Sequence, residues 1–324
     1  MISMMSRNAS ISLRCCLMGV MLLSVLGIWK SSQANEGGYA PQPIIVPTQE
    51  VKEFLDQRSR LDMIALRIAG AADSQCANRW RHPGFKTHKL RDYPRRLRRD
   101  WRGFGLKDPH ILSVQQPDLR GQIQPGDQII DSRGQPLDDN SLSLQIQLAL
   151  GRLTLVRDGE RMTVEGHWPQ ICYRPVRLTS SFGVEARTTP NAVELSRGLV
   201  NYTRSDDELA YAIAHELSHF MLDHSDILSA AREEGRLSQS LRRALETDAD
   251  RGAVFLMHKA GYDLNAARSF IERSSVLRDV PMLGLSSHPS RSQRLNDISE
   301  TIAAIHSTDI AEEPIGVFVS RFHR

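Results

Sequence analysis

The chain has no glycine-rich phosphate loop, no Ser-His-Asp constellation and no internal repeat. Those absences remove nucleotide-driven chemistry, serine hydrolysis and a solenoid from consideration. No apolar run reaches the roughly 20 residues of a membrane-spanning helix. The longest, Cys15 to Trp29, has 15 residues. Cysteine is scarce, four in 324 residues, and two of the four, Cys15 and Cys16, stand together near the N-terminus. Charge of neither sign dominates, with 41 Lys and Arg against 38 Asp and Glu and a pI near 8.7. With 40% hydrophobic residues, this is an ordinary globular composition, long enough for two domains.

Arg7 and Arg14 precede the apolar run, and Ser32-Gln33-Ala34 supplies small residues of the kind a signal peptidase reads. The expectation is a signal peptide over 1–34 and a periplasmic or secreted mature chain. The alternative is an uncleaved anchor in the inner membrane facing the periplasm. Cleavage after Ala34 leaves Cys76 and Cys172, an even count that reads in an exported chain as one disulfide. Two buried free thiols are the other reading.

What the chain does have is His215-Glu216-Leu217-Ser218-His219. On an α-helix, residues four apart lie on one face about 6 Å apart along the axis, so both imidazoles can reach one Zn²⁺. Glu216 lies about 100° around the helix, free to act as general base on a water at the metal. Ser205 and Glu208 read as a capping box, and Leu209, Ile213, Leu217 and Phe220 form an apolar stripe opposite the histidines. A third ligand is offered 27 residues after His219, in Glu246-Thr247-Asp248-Ala249-Asp250. On a second helix over 243–259, Glu246 and Asp250 share a face, and Ala249 and Ala253 allow close approach to the first. Glu246 completes a His-His-Glu shell for one zinc, and Asp250 is placed to accept a hydrogen bond from a ligand histidine. A solvated acidic face beside Arg242, Arg243 and Arg251 is the competing reading of that pair.

These motifs, with the Asp207-Glu208-Leu209-Ala210 lead-in and a late His288-Pro289 followed by Arg294, resemble the HtpX-like, Oma-like and CaaX-protease-like zinc endopeptidases, metallopeptidase family forty-eight of the gluzincins. The likeness runs from about Val176 to Ile298. It implies zinc on His215, His219 and Glu246, with Glu216 as base. It also brings His288 and Arg294 to the active site, His288 as a hydrogen-bond donor to the developing oxyanion. The family's Asn-Ala pair on a substrate-binding edge strand is Glu185-Ala186 here, a departure that touches substrate geometry and leaves the ligands intact.

Upstream, residues 49–72 carry Val51, Leu55, Leu61, Ile64, Ala65 and Ile68 at helical spacing, an amphipathic helix. Residues 79–102 hold ten Lys or Arg against Asp92 and Asp100, expected to form a solvated linker, with contact to an anionic membrane surface as the functional alternative. Secretion argues against nucleic acid. Between Trp101 and Trp168 the pattern turns to short strands. Ile111 to Val114, Ile123 to Ile130 with Pro125-Gly126-Asp127, and Arg133 to Leu137 resemble a bacterial PDZ domain. A helix over 141–150 and a hairpin over 153–165 with an Asp158-Gly159 turn extend the likeness. Such a groove takes an extended peptide by strand addition, and Gly103-Phe104-Gly105-Leu106 is its candidate carboxylate loop.

The expected architecture is α+β: signal peptide 1–34, helix and basic linker 35–100, PDZ-like domain 101–168, and a mostly helical gluzincin domain with a small edge sheet, 169–324. The expected activity is zinc-dependent hydrolysis of peptide bonds in unfolded or extended proteins, in envelope quality control. The alternatives are a PDZ-containing adaptor with a structural or silenced metal site, and a protease gated by its PDZ-like module.

Overall fold

The computed structural model describes residues 49–72, 79–90, 93–98, 109–114, 117–138, 141–189, 192–274, 289–307 and 313–323. They form a mixed α and β structure with two separate hydrophobic cores. The signal-peptide segment, the Gly103 to Leu106 loop, Cys76 and His288 lie outside the described residues. Among the described residues, no helix is long and apolar enough to cross a membrane.

Helix α1 spans Gln49–Ala71 and buries Val51, Leu61, Ile64, Ala65 and Ile68, the stripe its spacing predicts, together with Phe54. It is followed by β1 (Trp80–Arg81), β2 (Phe85–His88), β3 (His110–Val114), β4 (Gln128–Ile129), α2 (Leu142–Ala149), β5 (Arg152–Arg157), β6 (Glu160–Glu165) and β7 (Gln170–Ile171). This stretch has its own core, in which Phe85, Ile111, Ile129, Leu144, Leu155 and Trp168 are buried. β5 pairs with β6 across a tight turn whose central residues, Asp158 and Gly159, have φ of 51° and 88°. Two positive φ values suit the right-handed twist of a hairpin, which is why Asp-Gly appears there. The Pro125-Gly126-Asp127 segment is fixed by Arg157, whose Nε and Nη2 each donate to the buried Asp127 carboxylate at 2.8 Å. Ser141 caps α2, accepting from the Leu144 amide at 3.1 Å.

The stretch read as a solvated linker is built into this core in part. Phe85 is wholly buried, and Lys86 and Thr87 beside it are buried too. The charge that suggested solvent is met from α1: Lys86 Nζ lies 3.5 Å from Asp62, and Arg58 Nη2 donates to the Thr87 carbonyl at 3.2 Å. One strand thus belongs to the small core through Phe85 and to the helix through Lys86.

The remaining elements are β8 (Val176–Thr179), β9 (Ala186–Thr189), β10 (Ala192–Ser196), α3 (Arg197–Tyr202), α4 (Asp206–Met221), α5 (His224–Glu233), α6 (Gln239–Lys259), α7 (Asn265–Ser274), α8 (Arg291–Ser307) and α9 (Ile315–Ser320). The sheet order is β8-β10-β9, with β10 parallel to β8 and antiparallel to β9. Among the described residues β9 is therefore an edge, and it carries the Ala186 singled out in the sequence. Ser205 caps α4 by accepting from the Glu208 amide at 3.2 Å. The Glu208 carboxylate reaches back to the Arg204 amide at 2.7 Å and also pairs with Arg273. α6 begins one turn before the predicted Arg243, because Ser238 caps it through the Leu241 amide.

α4 and α6 are the central pair, and small side chains set how close they come. Ala249 and Ala253 have no exposed surface. At Gly252 an added Cβ would stand 2.7 Å from Ser218 Oγ and 2.9 Å from Ser218 Cβ, closer than a side chain allows. Ser218 lies within the HExxH run, so the glycine lets the two helices bearing the candidate ligands touch beside them. α1 packs across the same pair, and its buried residues share one core with theirs.

Candidate active site

α4 supplies His215, Glu216 and His219, and α6 supplies Glu246. His215 Nε2 lies 3.2 Å from His219 Nε2 and 3.3 Å from Glu246 Oε2, and His219 Nε2 lies 3.6 Å from the same oxygen. Two ligands held at roughly 2.1 Å from a tetrahedral zinc are about 3.4 Å apart. The three atoms fit that spacing, and among the described residues this is the group of histidines and carboxylates close enough to share one metal ion.

Both imidazoles are oriented from behind. His215 Nδ1 faces Asp250 Oδ1 at 2.9 Å, and that carboxylate also accepts from Tyr211 OH at 2.6 Å and from Arg294 Nε and Nη2 at 2.7 Å each. Arg294 Nη2 closes the loop onto Tyr211 OH at 3.1 Å. Burial by itself favours a neutral Asp250. The Arg294 charge and the His215 hydrogen bond outweigh it and hold the carboxyl well below the usual carboxylate range. An ionised Asp250 accepts only, so His215 carries a proton on Nδ1, and the Nε2 lone pair becomes available to a metal once the second proton leaves. Arg294 therefore reaches His215 through Asp250, whose carboxylate lies between them.

On His219 the supporting partner is a second histidine. His219 Nδ1 and His224 Nδ1 are 2.8 Å apart, so one donates and the other accepts. His224 is 2% exposed, and burial followed by the nearby His219 pushes it down to about 3. A metal on His219 Nε2 requires the His219 proton on Nδ1, and a neutral His224 can accept the hydrogen bond there. The backbone explains the placement of His224. Asp223, at φ 52° in the left-handed region, turns the chain between α4 and α5 and brings His224 back beside His219. His224→Ala is expected to weaken zinc binding about 10- to 100-fold, measured by competition with a chelating dye. An unchanged affinity would show that His219 holds its own orientation.

Without metal, His215 is held charged. Burial pushes it down, but hydrogen bonds and charge from Asp250 and Glu246 raise it to about 10. A proton must then leave as zinc binds at neutral pH, and the competition disappears as pH rises through about 10. Calorimetric zinc titration at pH 7 in buffers of differing ionisation enthalpy should report about one proton released per ion. A binding heat independent of buffer would contradict this.

Glu216 is buried, and its Oε2 accepts from Thr188 Oγ1 at 2.8 Å. Thr188 stands on the edge strand β9. Neither Thr188 nor Tyr211 was identifiable as a site residue from local pattern, since each reaches the site through a partner distant in sequence. Cys172 is fully buried.

Residues 155–232 and 226–302, which include His215, His219 and Glu246, agree with a known family. The match is to Peptidase family M48. A similar protein is mitochondrial metalloendopeptidase OMA1 of Schizosaccharomyces pombe, 30% identical over 146 residues, covering 35% of this chain and 43% of that protein. The chain thus matches less than half the length of this relative. Together these likenesses support the M48 family for the region, and the M48 match begins upstream of β8, within β5.

Proposed function

We propose that this chain is a zinc-dependent endopeptidase of the M48 type. The observation that carries the reading is the triangle of His215 Nε2, His219 Nε2 and Glu246 Oε2, with Glu216 one residue along the same helix. Zinc held there supplies Lewis acidity, polarising a carbonyl and making a water acidic near neutral pH. His215, His219 and Glu246 are the residues that hold it. Glu216 takes the proton from the attacking water and passes it to the leaving amine. Asp250, Tyr211 and Arg294 keep His215 in the ligating tautomer, and His224 does so for His219. His288 donates to the developing oxyanion in this reading, as the family resemblance implies.

The substrate is an extended or unfolded protein segment, and the edge of β9 is where its backbone pairs. A peptide ligand in the groove of the PDZ-like domain provides a second point of capture. The chain works outside the cytoplasm, periplasmic or secreted, in envelope protein quality control, with a Cys76–Cys172 disulfide. The N-terminal Arg-apolar-small pattern supports the location. The exposed basic residues of 79–102, Arg79 and Arg95 among them, are proposed to favour an anionic membrane surface, while Lys86 is buried on Asp62.

The deciding experiment measures zinc content and hydrolysis of an unfolded protein by the mature chain, with and without chelator. One zinc per chain and chelator-sensitive cleavage are expected. A chain that binds no zinc would sink the reading.

A further inference from the structure

Among the described residues, Thr188 makes a polar contact to the base that the zinc-site motifs do not contain. Its Oγ1 lies 2.8 Å from Glu216 Oε2 and 2.7 Å from the Glu216 carbonyl oxygen. A hydroxyl has one proton to donate, and both acceptors belong to Glu216, so whichever holds it, β9 is tied to this residue. The tie is preset by the strand. Thr188 opposes Val193 in the antiparallel pairing of β9 with β10, which fixes its Cα, and its branched Cβ restricts χ1. Alternation along the strand sends Arg187 the other way, onto Glu194 at 2.6 Å, leaving Thr188 to face α4. Glu216, by contrast, has a long side chain whose orientation must be held by something outside its own helix.

We propose that Thr188 is the positioning residue of the general base, and that it couples the substrate-binding edge to the catalytic carboxylate. The proposal rests on the peptidase reading above. A peptide that adds to β9 stiffens the strand from which the Thr188 hydroxyl reaches Glu216. Seating the backbone of the substrate and aiming the base are then one event, carried by a single side chain. A threonine is suited to this. Serine keeps the donor with a freer χ1, and valine keeps the shape with no donor.

The test compares wild type, Thr188→Val and Thr188→Ser for zinc affinity, and for kcat and KM on an unfolded protein substrate. Thr188→Val is expected to lower kcat about 10- to 100-fold, the cost of a base misplaced by about an ångström. Its KM and zinc affinity should stay within about twofold of wild type, because no ligand or substrate contact is removed. Thr188→Ser should recover kcat to within about threefold, since it restores the donor. Wild-type kcat in Thr188→Val overturns the proposal. So does a Thr188→Ser as slow as the valine variant, or a loss of zinc in Thr188→Val, which would make the residue structural. Failure of the peptidase reading itself is read elsewhere, in undiminished hydrolysis by Glu216→Gln or in a wild-type chain without zinc-dependent hydrolysis. Either result overturns this role as well.

Discussion

Glu216→Gln is expected to keep its zinc and lose about 100- to 10,000-fold in kcat, the range a positioned general base contributes. The reasoning is geometric. The candidate ligand atoms are on His215, His219 and Glu246, so replacing a carboxylate oxygen of Glu216 with an amide removes none of them. The amide is nearly isosteric and can keep the Thr188 hydroxyl contact through its remaining oxygen, now a weaker acceptor. What it cannot do is accept a proton from water and release it to an amine. Metal analysis and steady-state kinetics on the same preparation check both halves. Normal turnover would show that the base lies elsewhere, and loss of zinc would show that Glu216 belongs to the ligand set.

The second large effect is expected at Asp250. This carboxylate is 1% exposed and receives His215, Tyr211 and two nitrogens of Arg294. Asp250→Ala strands a buried guanidinium. Removing one partner of such a pair costs about 3 to 5 kcal/mol, a large share of the roughly 5 to 15 kcal/mol that hold a domain folded. Thermal unfolding should show a much lower midpoint. Asp250→Asn separates stability from metal binding, because it keeps the shape while removing the charge that fixes the His215 proton on Nδ1. Zinc affinity should fall about 10- to 100-fold in this variant. An asparagine variant that binds zinc like wild type would mean that His215 needs no help in choosing its tautomer.

The parts of the site legible in the sequence are those whose spacing is helical. His215 and His219 share a face because four residues make about one turn. Glu246 was recognisable as a candidate ligand because it sits with Asp250 on a helix whose small residues invite a close neighbour. The cap at Ser205, the stripe of α1, the Asp158-Gly159 turn and the Asp127 turn are equally local, and each stands where its pattern puts it. Thr188 was not legible, since its contact with Glu216 depends on the register of β9 against β10 and on how that sheet lies on α4. The role of His224 hid behind a single backbone feature, the left-handed Asp223, which no helix or strand period encodes. Phe85 to Thr87 misled for a different reason. A run rich in Lys and Arg reads as solvated, and only the tertiary structure shows Asp62 waiting for Lys86.

The side of β9 turned away from β10, if it is where substrate pairs, has a bearing on what such an enzyme can discriminate. A strand edge recruits another chain through amides and carbonyls, groups that every residue but proline offers alike. A natively folded protein has already committed most of these groups to its own helices and sheets, whereas a damaged or unassembled one has not. A protease that selects in this way would sort its clients by conformational state, with their sequence a secondary matter.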